Sequence, residues 1–160
     1  MRFAGTLSCV LCGALIGWLS RAVAEPSASV EIPFKRIDVS LGLRVSANEF
    51  VVVRTEDDFR KMWDQHFQFR APGTTAPQPP DVDFGKFFVI AFFGGHSPCE
   101  PFRIVHVLDF PDRVTVSISH RVQGDSCTCI ALFAPSINVI AIPRTAKPID
   151  YVISSERIDC

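Results

Sequence analysis

The segment from Pro77 to Gly95 constrains the fold of this chain more than any other stretch. At its centre lies the apolar run Phe87–Phe93, which follows a proline-rich approach and the pair Asp81 and Asp83 and is closed by two glycines. A run this short, rich in Phe, Val and Ile, predicts a strand buried on both faces rather than a helix. The rest of the fold is expected to be arranged around this central strand.

Residues 1–24 have the pattern of a secretory signal peptide. After one arginine, Phe3–Leu19 is almost uninterrupted apolar or small residues, and Ala22-Val23-Ala24 forms a small-residue cleavage site before Glu25. The stretch is too short and wrongly flanked for a stable membrane span, although an uncleaved anchor is the alternative. The sequence therefore predicts export to the periplasm or the extracellular space, as a single domain of residues 25–160 without a membrane span.

The charge pattern excludes two classes of partner. The chain carries 16 basic and 17 acidic residues, and loss of two arginines with the signal peptide would leave a net charge of about −3. The remaining cations are scattered along the chain. No nucleic-acid partner is expected, because phosphate binding needs clustered cations, and steering toward anionic membranes is equally unsupported.

Four cysteines remain after the predicted cleavage: Cys99, Cys127, Cys129 and Cys160. An even number in an exported chain predicts two disulfides. A Cys127–Cys129 bond would close a strained ring across one residue, so Cys99 is expected to pair with one of them and Cys160 with the other. The alternative is a zinc site of His96 and three thiolates, which the Cys-x-Cys spacing and the oxidising compartment disfavour.

One helix is predicted, from Glu56 to about His66. Thr55 can cap its first turn, and Asp58 three residues later completes a variant of the capping box. The residues at helical spacing form one apolar face, which is expected to pack on a sheet: Phe59, Met62, Trp63, and His66 or Phe67.

The other periodic segments predict short strands. Because proline cannot donate a backbone hydrogen bond, Pro33 predicts an edge strand or a bend for the first half of Val30–Val39. The further expected strands are Leu41–Val45, Phe50–Val53, Lys86–Phe93, Phe102–Leu108, 113–120, Ile130–Phe133, Asn138–Ile142 and Ile149–Ile153. The predicted fold class is α+β, mostly β: an antiparallel sheet or sandwich with one amphipathic helix packed against it.

Short connections favour antiparallel neighbours. Strands 86–93, 102–108 and 113–120 are therefore expected to form a meander, which would bring Cys99 close to the other two loop cysteines. An antiparallel pair of strands 138–142 and 149–153 would return Cys160 to the same place.

No catalytic residue and no cofactor is predicted. The chain contains neither a G-x-S-x-G nor an H-E-x-x-H motif, and Gly94-Gly95 follows a strand without opening a helix. The pair Asp81 and Asp83 is interpreted as ending a loop and binding backbone amides. His106 and His120 are interpreted as sheet residues.

The order of these motifs resembles the PrcB-like family, named for the small subunit that stabilises a bacterial secreted protease complex. The resemblance covers Val51–Ile142: a strand, a capped helix with an aromatic face, Pro80-Asp-Val-Asp-Phe84, an apolar strand ending in glycine, and a proline-initiated Val-Ile strand. It implies an exported accessory protein that has no activity of its own and binds another protein, for which a protease is the candidate.

Loop 94–101, bounded by prolines and held by Cys99, is the predicted partner-binding element, since preorganised loops at one end of a β scaffold are common binding devices. Its candidate residues are Gly94, Gly95, His96, Pro98, Pro101 and Phe102. Just before the strand that starts at Phe102, the family tends to carry a Gly-Gly-Tyr-like element, whereas this chain has Glu100-Pro101-Phe102. The alternatives are a protease inhibitor that presents the same loop, and a small enzyme or metal-binding protein with a site of scattered residues.

Overall fold

The computed structural model describes residues 28–39, 48–67, 78–95, 99–129 and 135–159. These residues form two four-stranded sheets and one helix, which confirms the predicted α+β, mostly β class. The elements are β1 (Val30–Glu31), β2 (Lys35–Arg36), β3 (Glu49–Val53), α1 (Glu56–Phe67), β4 (Phe87–Gly94), β5 (Phe102–Asp109), β6 (Val114–Gln123), β7 (Ser136–Pro143) and β8 (Ile149–Ile158). Sheet A has the order β1-β5-β6-β8, and sheet B the order β2-β7-β4-β3.

Strand β4 is buried on both faces, as its sequence predicts. Phe88, Ile90 and Phe92 point into the core between the two sheets, where they meet the apolar side chains of β5, β6 and β7. The alternate residues, among them Val89 and Phe93, belong to a second core beneath the helix. A continuous apolar run is required because neither face of this strand meets water.

The predicted helix cap is confirmed. The backbone N–H of Asp58 donates to the Thr55 hydroxyl oxygen at 3.2 Å, and that hydroxyl donates to the Asp58 carboxylate at 2.7 Å. The Thr55 hydroxyl, and then Lys61, hold the pKa of Asp58 below its ordinary value. The helix ends at Phe67, and its buried residues form the predicted apolar face: Phe59, Met62, Trp63, His66 and Phe67.

Two of the expected strand pairings are wrong. Strand β4 belongs to sheet B and does not continue into a meander with β5 and β6, although β5 and β6 do form an antiparallel hairpin. Strand β8 does not pair with β7 but lies parallel to β6. Burial explains this sorting: β4 and β7 are buried along almost their whole length and need cover on both faces, whereas β5 and β6 alternate between the core and the surface.

Near the start of the described chain, Pro33 separates two very short strands. Strand β1 pairs with β5 in sheet A, and β2 pairs with β7 in sheet B, so the chain crosses between the sheets at residues 32–34. The proline therefore marks a bend, as predicted. The predicted signal peptide and the predicted strands Leu41–Val45 and Ile130–Phe133 lie outside the described residues.

Candidate partner-binding loop

A disulfide anchors loop 94–101. Cys99 is bonded to Cys129, with the two Cα atoms 6.0 Å apart and a sequence separation of 30. The bond ties the segment before β5 to the segment after β6. One of the two predicted bridges is thereby confirmed, and the sulfurs of Cys99 and Cys129 are not the thiolates that a zinc site would need.

Cys127 is also disulfide-bonded. The end of β8 lies directly beside it: the Cys127 Sγ is 3.6 Å from the Ile158 carbonyl oxygen. The N–H of Gly124 donates to the same carbonyl at 2.9 Å, and Arg157 pairs with Asp125 at 2.9 Å.

These contacts predict a Cys127–Cys160 bond in the mature protein. Ile158 is only two residues before Cys160, and that spacing lets the chain reach Cys127 without moving β8. Peptide mapping of the oxidised protein under non-reducing conditions should yield two crosslinked pairs, Cys99 with Cys129 and Cys127 with Cys160. Recovery of a free thiol at Cys127 or Cys160 would contradict the prediction.

The two glycines of the predicted site hold the start of the loop. Gly95 has φ of +74° and donates its N–H to the Asn48 side-chain oxygen at 3.2 Å. A Cβ atom on Gly94 would lie 2.7 Å from both that oxygen and the Phe92 ring. A side chain therefore does not fit at Gly94 without displacing Asn48 or Phe92, and at Gly95 it would strain the backbone.

Phe102 holds the end of the loop from within the core. Its ring is 9% exposed and stacks on His120, with 4.0 Å between ring centroids and 2° between planes. Pro101 just before it accepts a hydrogen bond from the Arg121 N–H at 3.2 Å. Of the predicted site residues, Gly94 and Phe102 are thus buried, Gly95 and Pro101 are half-buried, and His96 and Pro98 lie outside the described residues.

Beside the loop, side chains of sheet B bind the backbone of β5. The buried amide of Asn138 accepts a hydrogen bond from the Ile104 N–H at 3.0 Å and donates to the Phe102 carbonyl at 2.9 Å. The Ser136 hydroxyl accepts from the Phe102 N–H at 3.0 Å, and Arg36 donates to the Ile104 carbonyl. Strand β1 pairs only with the far end of β5, so these side chains satisfy backbone groups that no described strand reaches.

Sequence reasoning missed this arrangement. The available signal was Asn138 itself, a polar residue within the apolar run from Ile137 to Ile142. A buried polar side chain inside such a strand is expected to have defined hydrogen-bond partners.

A cavity of about 450 Å³ opens at this position. Its described lining comes from the end of the loop, from β5 and β7, and from one residue of β2: Arg36, Pro101, Phe102, Arg103, Ser136, Ile137 and Asn138. Arg36 and Arg103 are exposed, and no carboxylate is among these lining residues. The described lining of this cavity is therefore cationic, although Glu100 in the loop itself carries a carboxylate and the chain as a whole has a slight excess of acidic residues.

Of the pair Asp81 and Asp83, Asp83 has a structural role in a turn. Its Oδ1 accepts the Gly85 N–H at 3.0 Å, and its backbone oxygen accepts from Lys86 and Phe87 in the turn that leads into β4. Lys86 lies 3.0 Å from the carboxylate and is the main cause of the lowered pKa of Asp83. The interpretation of Asp83 as a residue that binds turn amides is confirmed.

His66 is a buried histidine at the end of the helix. Its ring is 5% exposed and stacks on Phe93 at 3.9 Å, and neither ring nitrogen has a hydrogen-bond partner among the described residues. Burial lowers the pKa of His66, while the Glu49 carboxylate, 3.5 Å from Nε2, acts in the opposite direction. The neutral ring is thus the form that fits this site.

Stability should therefore fall as the medium becomes acidic. Because the pKa of His66 is lower in the folded chain, the unfolded chain binds a proton first, and stability is lost as the pH drops below about 6.5. Replacement by phenylalanine, which keeps a ring over Phe93, should weaken this dependence. The check is the free energy of unfolding at about pH 7.5 and about pH 5 for both proteins; identical losses would show that His66 is not responsible.

Comparison with protein-family models, curated proteins and solved structures finds no match for this chain. The resemblance to the PrcB-like family therefore stays a prediction from the sequence. Within the described ranges, no group of three or more His, Cys, Asp or Glu side chains is placed to hold a metal ion.

No helix in the described part of the chain is long and apolar enough to cross a membrane.

Proposed function

We propose that the protein is an exported, non-catalytic binding module that presents loop 94–101 and the adjoining cationic surface to another protein. The observation that carries the proposal is the Cys99–Cys129 bond, which fixes the loop to the end of the β5–β6 hairpin. A disulfide is compatible with an oxidising, exported location. A loop that is anchored by a covalent bond loses less entropy on binding than a free one, which favours affinity for a partner.

The surroundings of the loop support the same proposal. Its two ends are held by packing and hydrogen bonds, at Gly95 through Asn48 and at Phe102 through His120 and Ser136. Arg36 and Arg103 stand at the adjacent cavity, so the partner surface is proposed to be acidic where it meets β5. A secreted protease is the partner that the family resemblance suggests.

The experiment compares what two charge-reversed variants capture from the native secretome. Arg103→Glu changes the surface beside the loop, and Arg113→Glu is a matched control in the exposed turn at the opposite end of the same hairpin. A partner captured by the wild-type mature protein and by Arg113→Glu, but not by Arg103→Glu, supports the proposal. If all three proteins capture the partner equally, the surface beside loop 94–101 is not the binding surface.

The captured partner then separates the functional classes. If it is a protease, a stabilising subunit prolongs the lifetime of its activity, whereas an inhibitor lowers its rate at once. A Cys99→Ser, Cys129→Ser double variant, which lacks this disulfide, should lose either effect if the anchored loop is responsible. A double variant with full effect, correctly folded by circular dichroism, would place the binding surface elsewhere.

A further inference from the structure

Strand β8 leaves a long edge of sheet A unpaired among the described residues. It is the last strand in the order of its sheet and pairs on its inner side with β6, in one continuous parallel register from Ile149 to Ile158. Tyr151, Val152 and Ile153 are 49%, 46% and 38% exposed. The outer edge of such a strand offers N–H and C=O groups with which another strand can pair.

The other edge strands of the described sheets are short. Strands β1 and β2 have two residues each and β3 has five, compared with ten in β8. Proteins usually protect long edges with charged side chains, above all lysine, with proline, with bulges or with a covering element. Between Ile149 and Ile158 there is no lysine or proline and the register with β6 shows no bulge, while the charged residues are Asp150, Glu156 and Arg157, so the run from Tyr151 to Ser155 is uncharged.

We propose that β8 is a self-association surface, at which a second copy of this chain pairs its own β8 antiparallel about a two-fold axis. The two sheets A then form one continuous sheet of eight strands. A two-fold interface brings the same segment to both sides, so the segment must be complementary to itself. At the least, a long overlap of the two strands must not oppose like charges.

In an antiparallel pair, directly opposed residues point to the same face of the sheet, and along one strand only every second residue does so. Two opposed residues of β8 are therefore an even number of positions apart, and the two-fold axis passes through the residue midway between them. An axis at Ile153 would place Asp150 opposite Glu156, where like charges repel. An axis at Ser154 instead places Tyr151 opposite Arg157 and Val152 opposite Glu156, with no like charges opposed. Axes at Val152 or Ser155 oppose no like charges either, but they shorten the overlap, so Ser154 combines the longest overlap with no opposed like charges.

The Ser154 register also covers the exposed apolar side chains. Tyr151 stacks on Phe50 of β3 at 4.5 Å between ring centroids, which holds its ring in place on the inner face. Arg157, whose side chain is 59% exposed, would meet this ring from the second copy in a cation–π contact. Residues 150–158 of each copy then gain backbone hydrogen bonds along the shared edge.

The first test is the oligomeric state of the exported mature protein, measured by sedimentation equilibrium. The wild type should be a dimer, and Ser154→Lys, which opposes two cations at the axis, should raise the dimer dissociation constant about tenfold or more. Ser154→Thr should remain dimeric, as should Gln65→Lys, which adds the same charge on the exposed face of the helix. A monomeric wild type, or a dimer that Ser154→Lys leaves intact, would overturn the proposal.

The second test does not depend on the stability of the lysine variant. Opposed Cα atoms across an antiparallel pair are about 4.5–5.5 Å apart, within the range that a disulfide spans. Ser154→Cys should therefore give a covalent dimer on non-reducing electrophoresis, with the 154–154 link confirmed by peptide mapping. In this register Val152 lies opposite Glu156, four positions along the strand from Val152 of the second copy, so Val152→Cys should stay uncrosslinked. Crosslinking of Val152→Cys but not of Ser154→Cys would reject the axis at Ser154.

Discussion

Replacing Trp63 by alanine is expected to lower the free energy of unfolding by about 3–5 kcal/mol. The indole is 4% exposed, stacks on Phe67 at 4.2 Å between ring centroids, and lies 5.8 Å from the Phe59 ring. It belongs to the core that also contains Val89 and Phe93 of β4. Its removal takes the largest side chain out of the contact between helix and sheet, and the cavity left behind adds to the lost burial.

Such a loss is a large part of the margin of a small domain, which is typically about 5–15 kcal/mol. Denaturant unfolding with the disulfides intact measures it. Trp63→Phe should retain much of the stability, and Asp64→Ala, on the exposed side of the same helix, should change it by less than about 0.5 kcal/mol. Equal stability of the Trp63→Ala variant and the wild type would mean that the helix does not cover the sheet.

The helix and the central strand could be predicted because their signals are local. The cap at Thr55 and Asp58 lies within one turn, and the buried face follows from helical spacing alone. The run Phe87–Phe93 predicts its own burial on both faces, whatever covers it, and every residue of it except Phe87 is buried. Neither inference requires knowledge of a distant partner.

The sheet order could not be predicted from connection length. The antiparallel rule for short connections holds for the β5–β6 hairpin but fails where the chain passes from one sheet to the other, before β5 and before β8. At both places the next strand belongs to sheet A although the preceding strand belongs to sheet B. The burial patterns of whole strands carried the missing information, because the two central strands of sheet B, β4 and β7, are the ones with long buried runs.

The loop was located by its cysteine and its glycines, but the roles of its residues were only partly foreseen. Cys99 forms one of the predicted bonds, whereas Gly94 and Phe102 lie in the core and hold the loop ends. Residue type alone does not distinguish an exposed aromatic ring from a buried one. The stacking of Phe102 on His120 depends on the cross-strand pairing of these two residues, which the sequence does not state.

Replacing Asn138 by alanine should cost about 2–5 kcal/mol, since it leaves a buried backbone donor and a buried acceptor without partners. The side chain is 6% exposed and binds both the Ile104 N–H and the Phe102 carbonyl across the two sheets. Ser136→Ala, which removes one part-buried bond to the same strand, should cost only about 1 kcal/mol.

Asn138→Leu separates the two causes of this loss. Leucine has the same branching at Cγ as asparagine, although it is larger, and it cannot bind the backbone, so it should be at least as destabilising as alanine if the hydrogen bonds matter most. Amide exchange supplies a local measurement: the Ile104 N–H should lose protection in both variants, while amides of the helix keep theirs. Full stability with leucine at this position would show that Asn138 fills space rather than joining the sheets. In that case the end of loop 94–101 would depend on the packing of Phe102 and on the Cys99–Cys129 bond alone.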